Sequence, residues 1–431
     1  MAENTREIVL DMLLSIERNE EYSHKLMKAV LDKYDYLDVQ EKAFIKRLAE
    51  GTIERRIELD YVLEQFSSVP VKKMKPLIRC LMRMSAYQIL YMDGVPDSAV
   101  CNEAVKLAGK RKFQNLKGFV NGVLRNLSRN RSSIKWPDQE KEPEQWMSIT
   151  YSMPLWLVQL WVKEYGKERT HQMLSGLFRV HPVTIRFRKT LDKNVRLEYI
   201  AQMEKMGVEV TPSPYLEYAY TLKKAEGIAS LPGYEEGAFT VQDVSSMMAV
   251  EAAEIKASDY VVDICAAPGG KSLLAAEMAD RVLSRDVSEN KLGLIEDNAQ
   301  RMQADNMTVE QWDATVTDDG LIEKADVVLM DVPCSGLGVI GKKRDIKYHV
   351  TPQGLQEITA LQKKIVAASW QYVKPGGVLL YSTCTVRKEE NEEMCSFICR
   401  EYPFTLEESR QLFPGEDDCD GFFYARLRRK K

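Results

Sequence analysis

Eight cysteines are spread through 431 residues, and two of them sit where a thiol can do chemistry. Cys334 lies in Asp331-Val332-Pro333-Cys334-Ser335-Gly336 and Cys384 in Tyr381-Ser382-Thr383-Cys384, each in a polar loop just after a short apolar run. A third loop of this kind, Asp263-Ile264-Cys265-Ala266-Ala267-Pro268-Gly269-Gly270-Lys271-Ser272, follows Tyr260-Val261-Val262. Short apolar runs closed by such loops predict parallel strands, whose carboxyl ends are where open α/β sheets bind ligands. Alone, each cysteine reads as a small core residue. Together, past neighbouring strands and beside a cofactor-sized loop, they point to covalent chemistry on a pyrimidine.

Carbon 5 of cytosine is a poor nucleophile until something adds to C6 and turns the ring into an enamine-like species. A thiolate suits that addition, because it is strongly nucleophilic and can leave again. After C5 has been alkylated its proton must be removed before the thiol is expelled, which calls for a second basic group in reach. Asp331 is placed to bond the exocyclic amine or N3, and Lys271 to orient that carboxylate against the cofactor loop.

The glycines and small residues from Cys265 to Gly270 let backbone approach a ligand. Gly270-Lys271-Ser272 matches the tail of a phosphate-binding P-loop, but that motif requires glycine at position 265, where this chain has cysteine. Ser284-Arg285-Asp286 ends a second short strand about 20 residues on, where doubly wound folds place an acid for ribose hydroxyls. An adenosine cofactor without a phosphate cradle follows, hence S-adenosylmethionine. Asp313, after Val309-Glu310-Gln311-Trp312, closes a third strand and is placed to meet the adenine; it reads equally as a solvated loop acid.

These loops need a sheet to align them. Ala325 to Met330 and Gly377 to Tyr381 are the expected fourth and fifth strands, side by side in the usual doubly wound order, so that Cys334 and Cys384 face one crevice. Length and a 45% hydrophobic content predict two or three domains. With a net charge of only -4, any nucleic-acid contact must come from local clusters of Lys and Arg.

The opening Met1 to Glu7 has no basic, then apolar, leader pattern, and charges never vanish over the roughly 18 residues of a membrane span, so a cytoplasmic protein with reduced thiols is expected. Cys395 and Cys399 are spaced as neighbours on one helix face, with none of the four histidines near; they read as core and not as metal ligands.

Up to about residue 140 the chain has helical periodicity: Ile8, Met12, Leu13 and Ile16, then Leu77, Leu81, Met84, Tyr87 and Leu90. Between Lys106 and Lys135 lie nine basic residues, among them Lys110, Arg111, Lys112, Lys117 and Arg125, and no Asp or Glu. A charge run is usually a solvated face, but one without compensating acids and interleaved with Phe113 and Phe119 points to RNA phosphates. Asp138 to Gln145 marks a linker. Residues 145–237 alternate helix and strand without a nucleotide loop: helices near Pro154 to Tyr165 and Val195 to Met206, strands at Val183 to Phe187 and Val208 to Val210. This is a small α/β platform whose Arg186, Arg188 and Lys189 are expected to be exposed and to guide RNA or serve structure.

Val95-Pro96, Asn102-Glu103-Ala104-Val105 and Phe119-Val120-Asn121-Gly122-Val123-Leu124-Arg125 resemble the signature of NusB-type RNA-binding helical domains, with Glu41-Lys42-Ala43-Phe44 departing slightly from the usual acidic-Arg-Ala-Phe. From Tyr151 onward the chain resembles the RNA cytosine-C5 methyltransferases of the Nol1/Nop2/Sun family. The likeness rests on Val241-Gln242-Asp243-Val244-Ser245-Ser246, the Cys265 to Ser272 loop, Asp331 to Gly338, Tyr381 to Thr385, and Asp420 to Ala425.

The resemblance implies Cys384 as the nucleophile and Cys334 as the group that assists proton removal and release. It also implies that Cys265, Ala266, Ala267, Pro268, Gly269, Gly270 and Lys271, with Asp286, Asp313 and Asp331, bind S-adenosylmethionine. Two halves of this kind in one chain resemble the bacterial members that methylate one cytosine of 16S rRNA, free or in a partly assembled small subunit. Arg344 stands where the family usually has proline, and Arg188 where asparagine is common; both lie in segments expected to face RNA.

The expected architecture is therefore multidomain: an all-α NusB-like domain (1–140), a small α/β RNA-facing platform (145–237) and a Rossmann-like methyltransferase domain (238–431). A monomer needing no metal is expected. A non-catalytic RNA-binding or ribosome-assembly factor with a vestigial methyltransferase fold is the alternative from another class, and its mark would be failure to bind S-adenosylmethionine. A DNA cytosine methyltransferase is a nearer rival, but there the Pro-Cys thiol attacks and no counterpart of Cys384 is needed.

Overall fold

A computed structural model describes residues 4–19, 22–179, 182–225 and 227–431, so Met1, Ala2 and Glu3 of the opening stretch lie outside the described residues. The chain forms two compact units, Met1–Phe178 with Lys342–His349, and Arg179–Gly341 with Val350–Lys431. Helices Pro143–Thr150, Leu155–Tyr165 and Lys167–Leu177 thus group with the first unit.

The first unit is helical throughout. Its helices Thr5–Asn19 and Pro76–Tyr91 bury Ile8, Met12 and Leu13 and Leu77, Leu81, Met84 and Tyr87 in one core, as their spacing predicts. Helix Val39–Glu54 opens on a capping box: Asp38 accepts from the Glu41 amide at 2.8 Å while Glu41 accepts from the Asp38 amide at 3.3 Å. Lys342–His349 is a late segment built into this unit. There Arg344 pairs with Glu50 and Glu54, and Lys347 Nζ donates to the Glu54 carbonyl at 2.8 Å. Arg344, expected to face RNA, is therefore taken up by two carboxylates of its own unit.

In the second unit, strands β1 (Val183–Phe187), β2 (Glu209–Pro212), β3 (Ala219–Lys223) and β4 (Phe239–Val241) form an antiparallel sheet in the order β2-β3-β1-β4. Ile185 and Phe187 on one face pack with Ile200 and Met203 of helix Lys193–Lys205. Arg186 lies between them in sequence and so points to the other face. The expectation that Arg186 is exposed is overturned: it is fully buried, donates to Gln242 Oε1 at 2.8 Å and forms an ion pair with Glu277.

The larger sheet has seven strands: β5 (Tyr260–Asp263), β6 (Arg281–Asp286), β7 (Met307–Gln311), β8 (Ala325–Asp331), β9 (Val373–Thr383), β10 (Phe404–Leu412) and β11 (Phe422–Arg429), in the order β10-β11-β9-β8-β5-β6-β7. β5 to β9 run parallel; β11 is antiparallel to β9 and β10 to β11. Alternate residues serve two cores: Val328 and Met330 pack with Ile365 and Ile398 on one face, and Val327 and Leu329 with Met247 and Leu274 on the other. Strands covered on both faces need continuous apolar runs, which is why they were legible. The β8–β9 register sets Asp331 opposite Ser382, so the two cysteine loops leave the sheet together. Cys395 and Cys399 both lie on helix Glu392–Glu401 against this sheet. Among the described residues no helix is long and apolar enough to cross a membrane.

Candidate active site at the strand ends

The loop after β5 is tied down by carboxylates. Asp263 is buried; its Oδ2 accepts from Ser272 Oγ at 2.7 Å, and burial raises its carboxyl to about 6. Asp286, at the end of β6, accepts from the Ala267 amide at 3.2 Å and the Ser288 amide at 3.0 Å. Gly269 has φ of +101°, a conformation that favours glycine, and from there helix Gly270–Ala276 begins. Burial pushes the Cys265 thiol up, and the charges of Asp263, Asp331 and Asp286 push it further, so this cysteine stays neutral.

Lys271 points back from that helix to Asp331, with Nζ 2.7 Å from Oδ2. Burial alone would lower its pKa, but Asp331, then Asp263 and Cys384, raise it overall, so the ammonium is held charged. Ser382 Oγ donates to the other Asp331 oxygen at 2.7 Å. In a triphosphate-binding loop this lysine would face phosphates. Here it is committed to a carboxylate, and a small-residue turn backed by acids fits an adenosine cofactor.

The two thiols meet. Cys334 Sγ is 3.1 Å from Cys384 Sγ, and beside them Ser335 Oγ and Thr385 Oγ1 are 2.8 Å apart. Cys334 is pushed well up, first by its hydrogen bond with Cys384, then by burial and by the charges of Cys384 and Glu390. The neighbouring sulfur and burial thus both oppose ionisation of Cys334. The loop from Asp331 runs on to Gly338, whose amide donates to the Cys384 carbonyl at 3.0 Å and whose carbonyl accepts from the Gly421 amide at 3.0 Å. A Cβ on Gly338 would lie 1.8 Å from the Gly421 oxygen, which explains why both motifs carry glycine at this crossing.

Of the residues singled out from sequence, Cys334, Cys384, Asp331 and Lys271 come together, and Asp286 holds the turn at Ala267. Asp313 lies exposed past β7, where hydrogen bonds from Thr315 Oγ1 (2.7 Å) and its amide (2.8 Å) hold its carboxyl below the usual range. Arg188 is half-buried and donates to Gln303 Oε1 at 3.2 Å; Lys189 pairs with Glu251 at 2.8 Å. On the helical unit, Lys110 pairs with Glu7 at 2.6 Å and Arg111 with Asp11 at 2.6 Å, so acids distant in sequence compensate part of the basic run. Lys112 and Arg125 are exposed, while Lys117 lines a shallow cavity with Asn102, Lys106 and Asn121.

Sequence reasoning missed Asp263 as a support, along with Gln362, Glu390 and Asn391 behind the thiols. The first could have been found as an acid closing an otherwise apolar strand. The others lie outside every motif singled out: Gln362 on helix Pro352–Ser369, and Glu390 and Asn391 at the end of a charged run.

Comparison with known proteins agrees with this geometry. The 16S rRNA methyltransferase RsmB/F family matches residues 250–428, the NusB family residues 3–129, and the ferredoxin-like domain of RsmF/B-like methyltransferases residues 153–229. The chain is similar to the probable ribosomal RNA small subunit methyltransferase B of Bacillus subtilis (strain 168), at 34% identity over 99% of both chains. It is also similar to ribosomal RNA small subunit methyltransferase B of Proteus mirabilis, at 30% identity over 94% of this chain and 93% of the relative.

Among solved structures, that of PH0851 covers 100% of both chains with a TM-score of 0.81 at 23% identity. NSun6 from Pyrococcus horikoshii with SFG covers 63% of this chain and 97% of its own, with a TM-score of 0.54 at 22% identity. At these identities the two structures establish the fold. Three matched domains and relatives that align from end to end show that the chain belongs to the ribosomal RNA small subunit methyltransferase B family, the S-adenosylmethionine-dependent RNA methyltransferases whose domains are NusB-like, ferredoxin-like and Rossmann-like.

Proposed function

We propose that the protein methylates carbon 5 of a cytosine in 16S rRNA, with Cys384 adding to C6 and Cys334 assisting release. The pair of thiols 3.1 Å apart at the ends of β8 and β9, beside Asp331 and Lys271, carries this reading. The Cys265 to Gly270 turn, with Asp286 and Asp313, would hold S-adenosylmethionine, which supplies an electrophilic methyl group.

Cys384 sulfur bonds C6, and the electron pair of the C5–C6 double bond becomes available at C5. Asp331 accepts from the exocyclic amine while Lys271 and Ser382 fix its orientation. The sulfur beside Cys334 opposes its ionisation. Once that sulfur is bonded to carbon, its charge no longer opposes ionisation of Cys334. Cys334 then gives its proton to solvent, and once C5 carries the methyl group the Cys334 thiolate takes the C5 proton, the C5–C6 double bond re-forms, and Cys384 leaves as a thiolate. Lys112, Lys117 and Arg125 on the helical unit would contact RNA phosphates.

A denaturing gel of Cys334→Ala and Cys334→Ala/Cys384→Ala proteins, incubated with S-adenosylmethionine and labelled small-subunit rRNA, tests this. The single variant is expected to trap a covalent RNA adduct and the double variant none. Absence of an adduct from both, while the wild type methylates RNA, would sink the two-thiol mechanism. Equal methylation of duplex DNA would favour the DNA-directed alternative.

A further inference from the structure

Cys334 and Cys384 sit on separate loops with no covalent tie between them, so something must fix the gap between their sulfurs. Two consecutive side chains behind the loops do so. Glu390 and Asn391 are both fully buried, although in sequence they end a charged stretch, Arg387-Lys388-Glu389-Glu390-Asn391.

Glu390 holds the Cys334 side. Its Oε2 accepts from the Ser335 amide at 2.9 Å and from Gln362 Nε2 at 3.0 Å. The same Gln362 nitrogen donates to the Pro333 carbonyl at 3.0 Å, so the residues before and after Cys334 are fastened to one carboxylate–amide pair. Asn391 holds the Cys384 side. Its Oδ1 accepts from Thr383 Oγ1 at 2.6 Å, and its Nδ2 donates to the Thr385 carbonyl at 3.1 Å and to Gln411 Oε1 at 2.7 Å. The residues flanking Cys384 are thus gripped by one amide.

The two grips are joined by a single peptide bond, itself anchored where Tyr381 OH donates to the Glu390 carbonyl at 2.7 Å. A buried carboxylate is costly to desolvate unless charge-assisted bonds answer it. Here an amide of the Cys334 loop answers it, and Arg387 Nη1 lies 3.8 Å from its other oxygen.

We propose that Glu390 and Asn391 are positioning residues that set the separation of Cys334 and Cys384, a role that rests on the two-thiol reading of the site. A catalytic constellation loses rate steeply when a reacting atom moves by about 1 Å. Both side chains act through the residues that flank the cysteines, and Glu390 in addition raises Cys334 by its charge.

The test is a direct measure of thiol juxtaposition in the full chain, separate from catalysis. Oxidised glutathione takes two electrons from the thiol pair and leaves as two reduced molecules, while Cys334 and Cys384 lose two protons and join as a disulfide, followed by peptide mass spectrometry. Glu390→Ala and Asn391→Ala are expected to slow this closure by about 10-fold and to lower kcat by about 10- to 100-fold. KM for S-adenosylmethionine and its affinity by calorimetry should stay within about twofold. The near-isosteric Glu390→Gln, which keeps an acceptor for the Ser335 amide, should recover most of the closure rate.

Wild-type closure rates in both alanine variants, or in Asn391→Asp should the alanines not fold, since the aspartate loses the donor to the Thr385 carbonyl, would overturn the positioning role whatever the thiols do. Slow closure with unchanged kcat would uphold the clamp and instead remove the two-thiol mechanism.

Discussion

The ion pairs Lys110–Glu7 and Arg186–Glu277 look alike on paper and differ in every consequence. Lys110 lies on the helical unit with its side chain 66% exposed, whereas the Arg186 side chain is fully buried in the second unit. Water competes for the first pair, and holding two long side chains in one geometry costs entropy, so such a pair contributes little. Arg186 cannot return to water without leaving Glu277, Gln242 and the sheet around them short of partners. Charge density along the chain therefore says little about work done. The basic run of the helical unit lies on a solvated face, whereas Arg186 in the second unit locks elements together behind the strand ends.

Variants can break or sharpen that contrast. The largest difference is expected between the two pairs themselves: Arg186→Ala should cost about 3–5 kcal/mol of unfolding free energy in urea, because it takes the cation from the largely buried Glu277 carboxylate and leaves it only the Lys189 amide. Lys110→Ala should cost less than about 1 kcal/mol. Similar costs for both would show that burial does not separate them.

Asp263 comes next. Its folded pKa of about 6 lies above the unfolded value, so it stabilises the fold in acid and that contribution fades as pH rises from about 4 through about 6. Unfolding midpoints measured over this window should fall by an amount equivalent to roughly 1–3 kcal/mol in the wild type, less any opposing groups. In Asp263→Asn this component should be absent, and an unchanged pH profile would show that the carboxyl is not raised.

The smallest effect on stability belongs to the basic face. Replacing Lys112, Lys117 and Arg125 by glutamine should shift stability by less than about 0.5 kcal/mol each. RNA affinity should nonetheless drop, and the slope of log affinity against log salt should shallow by roughly one unit per residue. An unaltered slope would place the RNA contacts elsewhere.

What could be read in advance followed from local physics. Parallel strands covered on both faces must be apolar along their length, so β5, β6, β8 and β9 announced themselves within a residue or two at the ends that matter. Loops that let backbone approach a ligand must be small, and the cysteines past β8 and β9 stood out because polar loops seldom carry them. Arg186 was misread because strand alternation gives its face but not what covers that face. The basic run from Lys106 to Lys135 was overcounted because Glu7 and Asp11 approach it only in the folded helices.

The sequence by itself determined the three kinds of domain, the strand-end loops and the cysteines within them, since each depends on periodicity, turn chemistry or a spacing within one motif. Only the tertiary structure decided which charges are buried, that Gly338 and Gly421 cross in contact, and that Glu390 and Asn391 turn inward to grip both thiol loops. The reason is range: hydrophobic pattern is set by neighbours along the chain, whereas the burial of a polar group depends on partners brought from other elements by the folded sheet.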